Sequence, residues 1–278
     1  MRLKIAIQGA EGSYHHSAAE SFFRRRIDIV PVKSFQEVIR VAENREKTDG
    51  AVMAIENSIA GSIGPNYSLL LNSKLKIVGE IYIRIKHSFM ALPGTRVDEI
   101  TEVQSHPMAI EQCRKFFDQY PQIDLIEGLD TATCARTIAE NQTKGVGVIA
   151  GEKAAALYEL EILESSIETV KNNYTRFLVL SREEALNGTF EADKASIHFR
   201  VSHDPGSLLK VLNILAKHDL NLSKIQSFPV IKEEWRYYFH CDLEFKELEH
   251  YEAAIEDLLG VTEMLNELGV YKKGVTIL

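Results

Sequence analysis

Four short segments set small polar side chains where an apolar run gives way to a helical pattern, or where a strand begins. The first is Ile55-Glu56-Asn57-Ser58-Ile59-Ala60-Gly61-Ser62-Ile63-Gly64-Pro65. Here Pro65 suits the first turn of a helix, and the glycines let the backbone lie close to a ligand. The second, Ser105-His106-Pro107, predicts an N-cap at Ser105 and brings Gln112, two turns on, back to the same face. The third, Asp130-Thr131-Ala132-Thr133, opens another helix, and the fourth, Asn172-Asn173-Tyr174-Thr175-Arg176-Phe177, enters the apolar run Leu178-Val179-Leu180. Helix N-termini present unpaired N–H groups and a partial positive charge, so several of them facing one cleft make an anion site. Taken singly, each has the plainer reading of an ordinary capped turn, and the Thr-Arg pair that of a surface detail.

Other reactive residue types read as structural. His15 and His16 are adjacent, whereas a metal pair on a helix needs i,i+4 spacing. His106 reads as a supporting group rather than a base, and Cys113 and Cys134 as small buried thiols on helices. Gly9-x-x-Gly12 alone is weak as a phosphate signal, and no Gly-x-Gly-x-x-Gly follows it.

The elements that must position these segments alternate. Apolar runs at 3–7, 29–32, 50–55, 76–81, 81–92, 102–104, 124–126, 145–149 and 176–180 predict strands. Helical patterns at 13–25, 34–46, 65–73, 107–120, 131–142 and 151–160 lie between them, the signature of an α/β unit. Residues 185–192 lack periodicity, contain Asn187-Gly188, and read as a linker. The order then changes to strand 196–201, helix 206–218, strands 221–230 and 236–245, helix 249–268 and strand 270–278. Such a βαββαβ unit over 193–278 is a ferredoxin-like fold.

Composition narrows the function. The chain has 278 residues, 45% apolar and 26% charged, enough for two or three domains and ordinary for a globular protein. No apolar stretch approaches the ~18 residues of a membrane helix, and the start does not read as a signal peptide. Three distant cysteines give neither a disulfide framework nor a zinc pattern, so a cytoplasmic location is expected. The net charge of −8 is concentrated after residue 182, where 17 acids face 10 bases. Without a basic stripe, a nucleic-acid partner is not expected, and an anionic ligand needs local donors.

In this order and spacing, the four segments, together with Gly9-Ala10-Glu11-Gly12-Ser13-Tyr14, resemble the prephenate dehydratases over about the first 180 residues. The resemblance implies a two-lobed, periplasmic-binding-protein-like catalytic domain over 1–184, with the active site in the cleft. One lobe would be about 1–83 plus 175–182 and the other about 84–170. It implies decarboxylating dehydration of prephenate to phenylpyruvate. Aromatisation drives that reaction, so no metal, nucleophile or redox cofactor is expected. Thr175 would be the oriented donor to the departing oxygen, and Arg176 would neutralise a carboxylate. Asn57, Ser58, Ser105, Gln112 and Thr131 would add donors, with Glu56 and Phe177 also contacting substrate. A single activity is expected, because no helical chorismate mutase segment precedes the first strand. The competing readings are an arogenate dehydratase and a non-catalytic amino-acid-binding regulator.

The C-terminal unit resembles an ACT domain through Asp204-Pro205-Gly206-Ser207-Leu208-Leu209 and Asn221-Leu222-Ser223-Lys224-Ile225-Gln226-Ser227-Phe228-Pro229. By resemblance, Asp204, Gly206, Ser207, Leu208 and Leu209 would hold L-phenylalanine as an allosteric inhibitor between paired domains. Asn221, Leu222, Gln226, Ser227, Phe228 and Pro229 would supply the other wall, and a homodimer or homotetramer is implied. The segment departs from the family's usual Glu-Ser-Arg-Pro, and Ser207 stands for the usual alanine.

Overall fold

Parallel and antiparallel pairing of the apolar runs builds three sheets in a computed structural model that describes residues 2–182, 191–230 and 236–277. The first lobe runs β1 (Leu3–Gln8), α1 (Tyr14–Phe23), β2 (Ile27–Val32), α2 (Phe35–Ala42), β3 (Gly50–Asn57), β4 (Gly61–Ser62), α3 (Gly64–Leu71) and β5 (Lys76–Arg84). The second runs β6 (Ser88–Ala91), β7 (Glu102–Ser105), α4 (Pro107–Phe117), β8 (Asp124–Glu127), α5 (Thr131–Asn141), β9 (Val146–Ala150), α6 (Glu152–Tyr158) and β10 (Glu161–Glu164). The chain then returns to the first lobe as β11 (Tyr174–Ser181).

The first sheet has the order β16-β5-β11-β3-β1-β2, its outermost strand β16 (Thr276–Ile277) coming from the C-terminus, with β4 paired to β3. The second has the order β10-β6-β9-β7-β8. β11 lies antiparallel between β3 and β5, buried along nearly its whole length, which explains its near-continuous apolar run. The apolar stretch 81–92 is not one strand. It is interrupted at Ile85–His87, where the chain crosses between lobes beside the returning segment: Ile85 N–H donates to Asn173 O (2.8 Å) and Ile167 N–H to His87 O (2.8 Å).

The C-terminal unit runs β12 (Lys194–Arg200), α7 (Ser207–Lys217), β13 (Asn221–Pro229), β14 (Tyr237–Glu244), α8 (Leu248–Leu259), β15 (Met264–Tyr271) and β16 (Thr276–Ile277). Its antiparallel sheet has the order β13-β14-β12-β15, with α7 and α8 packed on one face. The helix expected to reach residue 268 stops at Leu259, with Gly260 as its cap. Residues 264–271 form a strand instead, because they pair along β12 from Arg200↔Met264 to Lys194↔Tyr271. Of the expected linker, residues 185–190 lie outside the described residues.

The other face of this sheet lies against the first lobe. Phe228, Tyr238, Leu268 and Tyr271 join Tyr67, Leu75 and Ile77 in one apolar cluster. The approach is close: a Cβ on Gly269 would lie 2.1 Å from the Ile77 carbonyl oxygen. β16 then adds to the first sheet in parallel beside β5.

Candidate active site

The cleft between the lobes holds a cavity of about 430 Å³ walled by Asn57, Thr175 and Phe177 from the first lobe and His106, Gln112 and Thr131 from the second. Strand pleating decides which residues of the Thr-Arg-Phe run reach it. Thr175 and Phe177 point into the cavity, and Arg176 between them points to the opposite face of the sheet.

Hydrogen bonding fixes the direction of the polar groups. The N–H groups of Ile59 and Ala60 donate to Asn57 Oδ1 (3.0 and 2.9 Å), which identifies Asn57 Nδ2 as the donor side of its amide. That nitrogen reaches Asn173 Oδ1 (2.7 Å) and Thr175 Oγ1 (3.0 Å). Thr175 therefore accepts from Asn57, and its own hydrogen has no protein acceptor among the described residues. Asn173 in turn donates through Nδ2 to Gln112 Oε1 (3.0 Å). That oxygen can only accept, so His87 Nε2, also 3.0 Å away, carries the proton. Burial lowers the His87 pKa, and its Nδ1 lies 3.1 Å from the Tyr14 hydroxyl oxygen, whose one hydrogen goes to the Lys86 carbonyl (2.7 Å). Burial also holds Tyr14 well above the usual phenol range, so its hydrogen stays in place. Donation thus runs from Asn57 through Asn173 to Gln112 Oε1, where the His87 N–H meets it from the other side, and this network links the two lobes.

The remaining wall is apolar. His15 packs edge-on to Phe177 (5.0 Å between ring centres) and against Phe35 (5.5 Å). Burial lowers its pKa to about 4, and its Nε2 accepts from Ala54 N–H (3.3 Å), so the ring is neutral. Among the described residues no Lys or Arg lines this cavity, and Asp130 is its one carboxylate. Asp130 caps α5 by accepting from the Thr133 N–H (2.8 Å) and hydroxyl (2.6 Å). The turn Gly9–Ser13 closes the cleft from the first lobe. A Cβ on Gly12, which has φ +84, would stand 3.1 Å from Ala154 Cα on α6, so only glycine allows this approach.

The sequence profile described as "PDT: Prephenate dehydratase" matches residues 5–185. The chain belongs to the prephenate dehydratase family. It is 35% identical to the bifunctional chorismate mutase/prephenate dehydratase of Aquifex aeolicus over 99% of this chain and 75% of that protein. It is 38% identical to arogenate dehydratase 2 of Petunia hybrida over 84% of this chain, spanning 59% of the petunia protein's length. Among solved structures, the prephenate dehydratase of Arthrobacter aurescens in complex with L-Phe superposes with a TM-score of 0.85 at 25% identity, covering 97% of this chain and 90% of that one. A protein described as GqqA, a novel type of quorum quenching acylase, superposes with a TM-score of 0.86 at 29% identity, covering 97% and 98%.

Within this family fold, several residues expected at the substrate lie elsewhere. Arg176 does not face the cleft. It is buried between the domains, paired with Glu80 (2.6 Å) and with Asp242. Glu56, its cross-strand neighbour, faces the same way and binds Lys224 (2.8 Å). Ser105 is not the cap of α4, a place taken by His106, whose Nδ1 accepts from Met108 N–H (3.2 Å). As the last residue of β7, Ser105 instead donates to Ile149 O on β9 (2.6 Å). Ser58 ties the loop to β11, accepting from Tyr174 N–H (2.9 Å), and is not on the cavity wall. Conversely, His15, His87, Tyr14 and Asn173 belong to the site although sequence reasoning did not assign them there. Asn173 and Tyr14 each stand inside a motif of the sequence, whereas nothing local marks His87.

A second cavity of about 550 Å³ is lined by residues 201–209 with Arg236, Tyr237 and Phe239. It includes Asp204, Gly206, Ser207, Leu208 and Leu209, but none of Asn221, Leu222, Gln226, Ser227, Phe228 or Pro229 from the same chain. Phe228 is turned the other way and stacks on Tyr67 of the first lobe (4.9 Å).

Proposed function

We propose that this protein is a prephenate dehydratase, and that the orientation of Thr175 carries the reading. In this reaction the bond from the ring to its carboxylate breaks, releasing carbon dioxide. The freed electron pair enters the ring, and the ring C–O bond breaks with its oxygen leaving as water. One proton must reach that oxygen. The Thr175 hydroxyl accepts from Asn57, so its hydrogen is free to point into the cavity. Threonine is a weak acid, so it acts as an oriented donor and can relay a proton through water. The aromatic wall of His15, Phe35 and Phe177 suits the ring, and Gln112, Thr131 and the α5 N-terminus suit the carboxylates. A wall without Lys or Arg among the described residues also favours the chemistry. A cation fixed on the departing carboxylate would stabilise the very charge that the transition state disperses.

Incubation with prephenate followed by an alkaline absorbance reading tests the assignment, with phenylpyruvate as the expected product and its absence at high enzyme concentration overturning it. Asp130, the one acidic wall residue among the described residues, gives a specific reason to test arogenate, whose ammonium replaces the ketone of prephenate. A higher kcat/KM for arogenate would make the protein an arogenate dehydratase.

The cavity at Gly206 suits L-phenylalanine as an inhibitor, its carboxylate at the start of α7 and Arg236 beside it. β13 is the outer strand of its sheet and bears the other ligand segment, so a second copy pairing there would supply the missing wall. This is the basis for a homodimer or homotetramer. Calorimetry should show phenylalanine binding, and no heat at millimolar ligand would remove that role.

A further inference from the structure

Asn57 and Thr175 are cross-strand partners on β3 and β11, and so are Glu56 and Arg176 one residue along. The first pair faces the cavity, and the second faces the C-terminal sheet, where each member meets a charge of opposite sign. Lys224 of β13 donates to Glu56 Oε1 (2.8 Å) and also to Ser62 Oγ (2.8 Å). Glu56 and Ser62 pair at the base of the β3–β4 hairpin, and that hairpin's tip supplies the Ile59 and Ala60 N–H groups that orient Asn57. Lys224 therefore pins both arms of the loop from below. On the other strand, Asp242 of β14 binds Arg176 while Ser196 (2.6 Å) and His240 (3.0 Å) hold the carboxylate in place.

We propose that Lys224 and Asp242 are positioning residues for the reaction: by holding Glu56 and Arg176, the C-terminal sheet fixes Asn57 and Thr175 one peptide away. Consecutive strand residues share one backbone, so Glu56 cannot shift without carrying Asn57 with it. The proposal rests on Thr175 as the oriented donor. It adds that the C-terminal domain is part of the catalytic geometry in the resting enzyme, before any effector binds.

The test compares Lys224→Met, which keeps an unbranched stem but removes the charge, with Lys224→Arg, which keeps the charge. Lys224→Met should lower kcat ~10-fold, the scale of sub-ångström misplacement, with KM for prephenate within about twofold. Lys224→Arg should restore most of the rate. Adding Glu56→Gln to Lys224→Met should cost little more, because both remove the same contact. Amide hydrogen exchange at Ile59 and Ala60 supplies a readout that needs no turnover: protection should fall in Lys224→Met and return in Lys224→Arg. Wild-type kcat with unchanged protection in a folded Lys224→Met variant overturns the proposal, as does a rate loss that Lys224→Arg shares. If the wild-type enzyme forms no phenylpyruvate, the functional reading fails instead, and exchange alone then decides whether the clamp exists.

Discussion

At the level of single residues, neighbours in one motif divide between two tasks because a strand sends them to opposite faces. Thr175 serves the cavity, and its replacement by alanine should lower kcat by ~10²- to 10⁴-fold with a smaller change in KM. Near wild-type turnover of prephenate by a folded Thr175→Ala protein would remove it from the chemistry. Arg176 serves the domain interface. Resemblance predicts a carboxylate ligand there, and hence a raised KM in a lysine variant. The buried pairs with Glu80 and Asp242 predict a stability defect instead. Those acids also stabilise the guanidinium, holding its pKa well above the ordinary value despite burial. Arg176→Met removes the cation shared by Glu80 and Asp242, which keep only Lys194 (2.9 Å) and His240 (3.0 Å) respectively as ionisable partners, and should cost ~3 kcal/mol. A denaturant titration with an unchanged midpoint would refute that assignment.

At the level of elements, the segments legible from sequence were those whose pattern is local. The strand-to-helix turns, marked by Pro65, Pro107 and Asp130, gave α3, α4 and α5 close to their observed starts. Residues 264–268 fit the helical pattern because apolar residues at mixed spacing match either period, and the partner that makes them a strand, β12, lies over sixty residues earlier. The same strand carries the tightest approach between domains. At Gly269 an alanine Cβ would collide with the Ile77 carbonyl, a backbone atom that cannot swing aside. Gly269→Ala should push β15 off β5 and destabilise by ~1–3 kcal/mol, lowering the melting temperature by several degrees. An unaltered melting curve would show that the sheets separate more readily than their packing indicates.

For the whole molecule, buried neutral histidines set the response to acid. Burial lowers the pKa of His15 to about 4 and of His198 to about 3, and lowers those of His87 and His240. Unfolding returns each toward its ordinary value of about 6.5, so below that pH the unfolded chain binds more protons. Stability should therefore fall as pH drops from 7 toward 4, by up to ~1.4 kcal/mol per pH unit for each fully buried group. Asp242 acts at lower pH. Arg176 and His240 hold its carboxyl well below the usual range, so its contribution is intact above about pH 4 and is lost only in stronger acid. Urea midpoints at pH 7 and pH 5 test this, and equal midpoints would contradict it. Neither ring nitrogen of His198 has a hydrogen-bond partner among the described residues. His198→Phe should therefore flatten the pH dependence without loss at pH 7.

The amino-acid sequence alone determined the two architectural classes and the family, because periodicity and short motifs are written in adjacent residues, and the resemblance of those motifs pointed to Thr175, Asn57, Gln112 and Thr131, which line the cavity. It could not say which side of β11 meets a second domain, and so could not separate Arg176 from Thr175. Nor could it join His87 to Gln112 or Phe228 to Tyr67, contacts made by residues 25 and more positions apart in the chain. Only packing decided these, since a polar or aromatic side chain takes its task from whatever the fold brings opposite it.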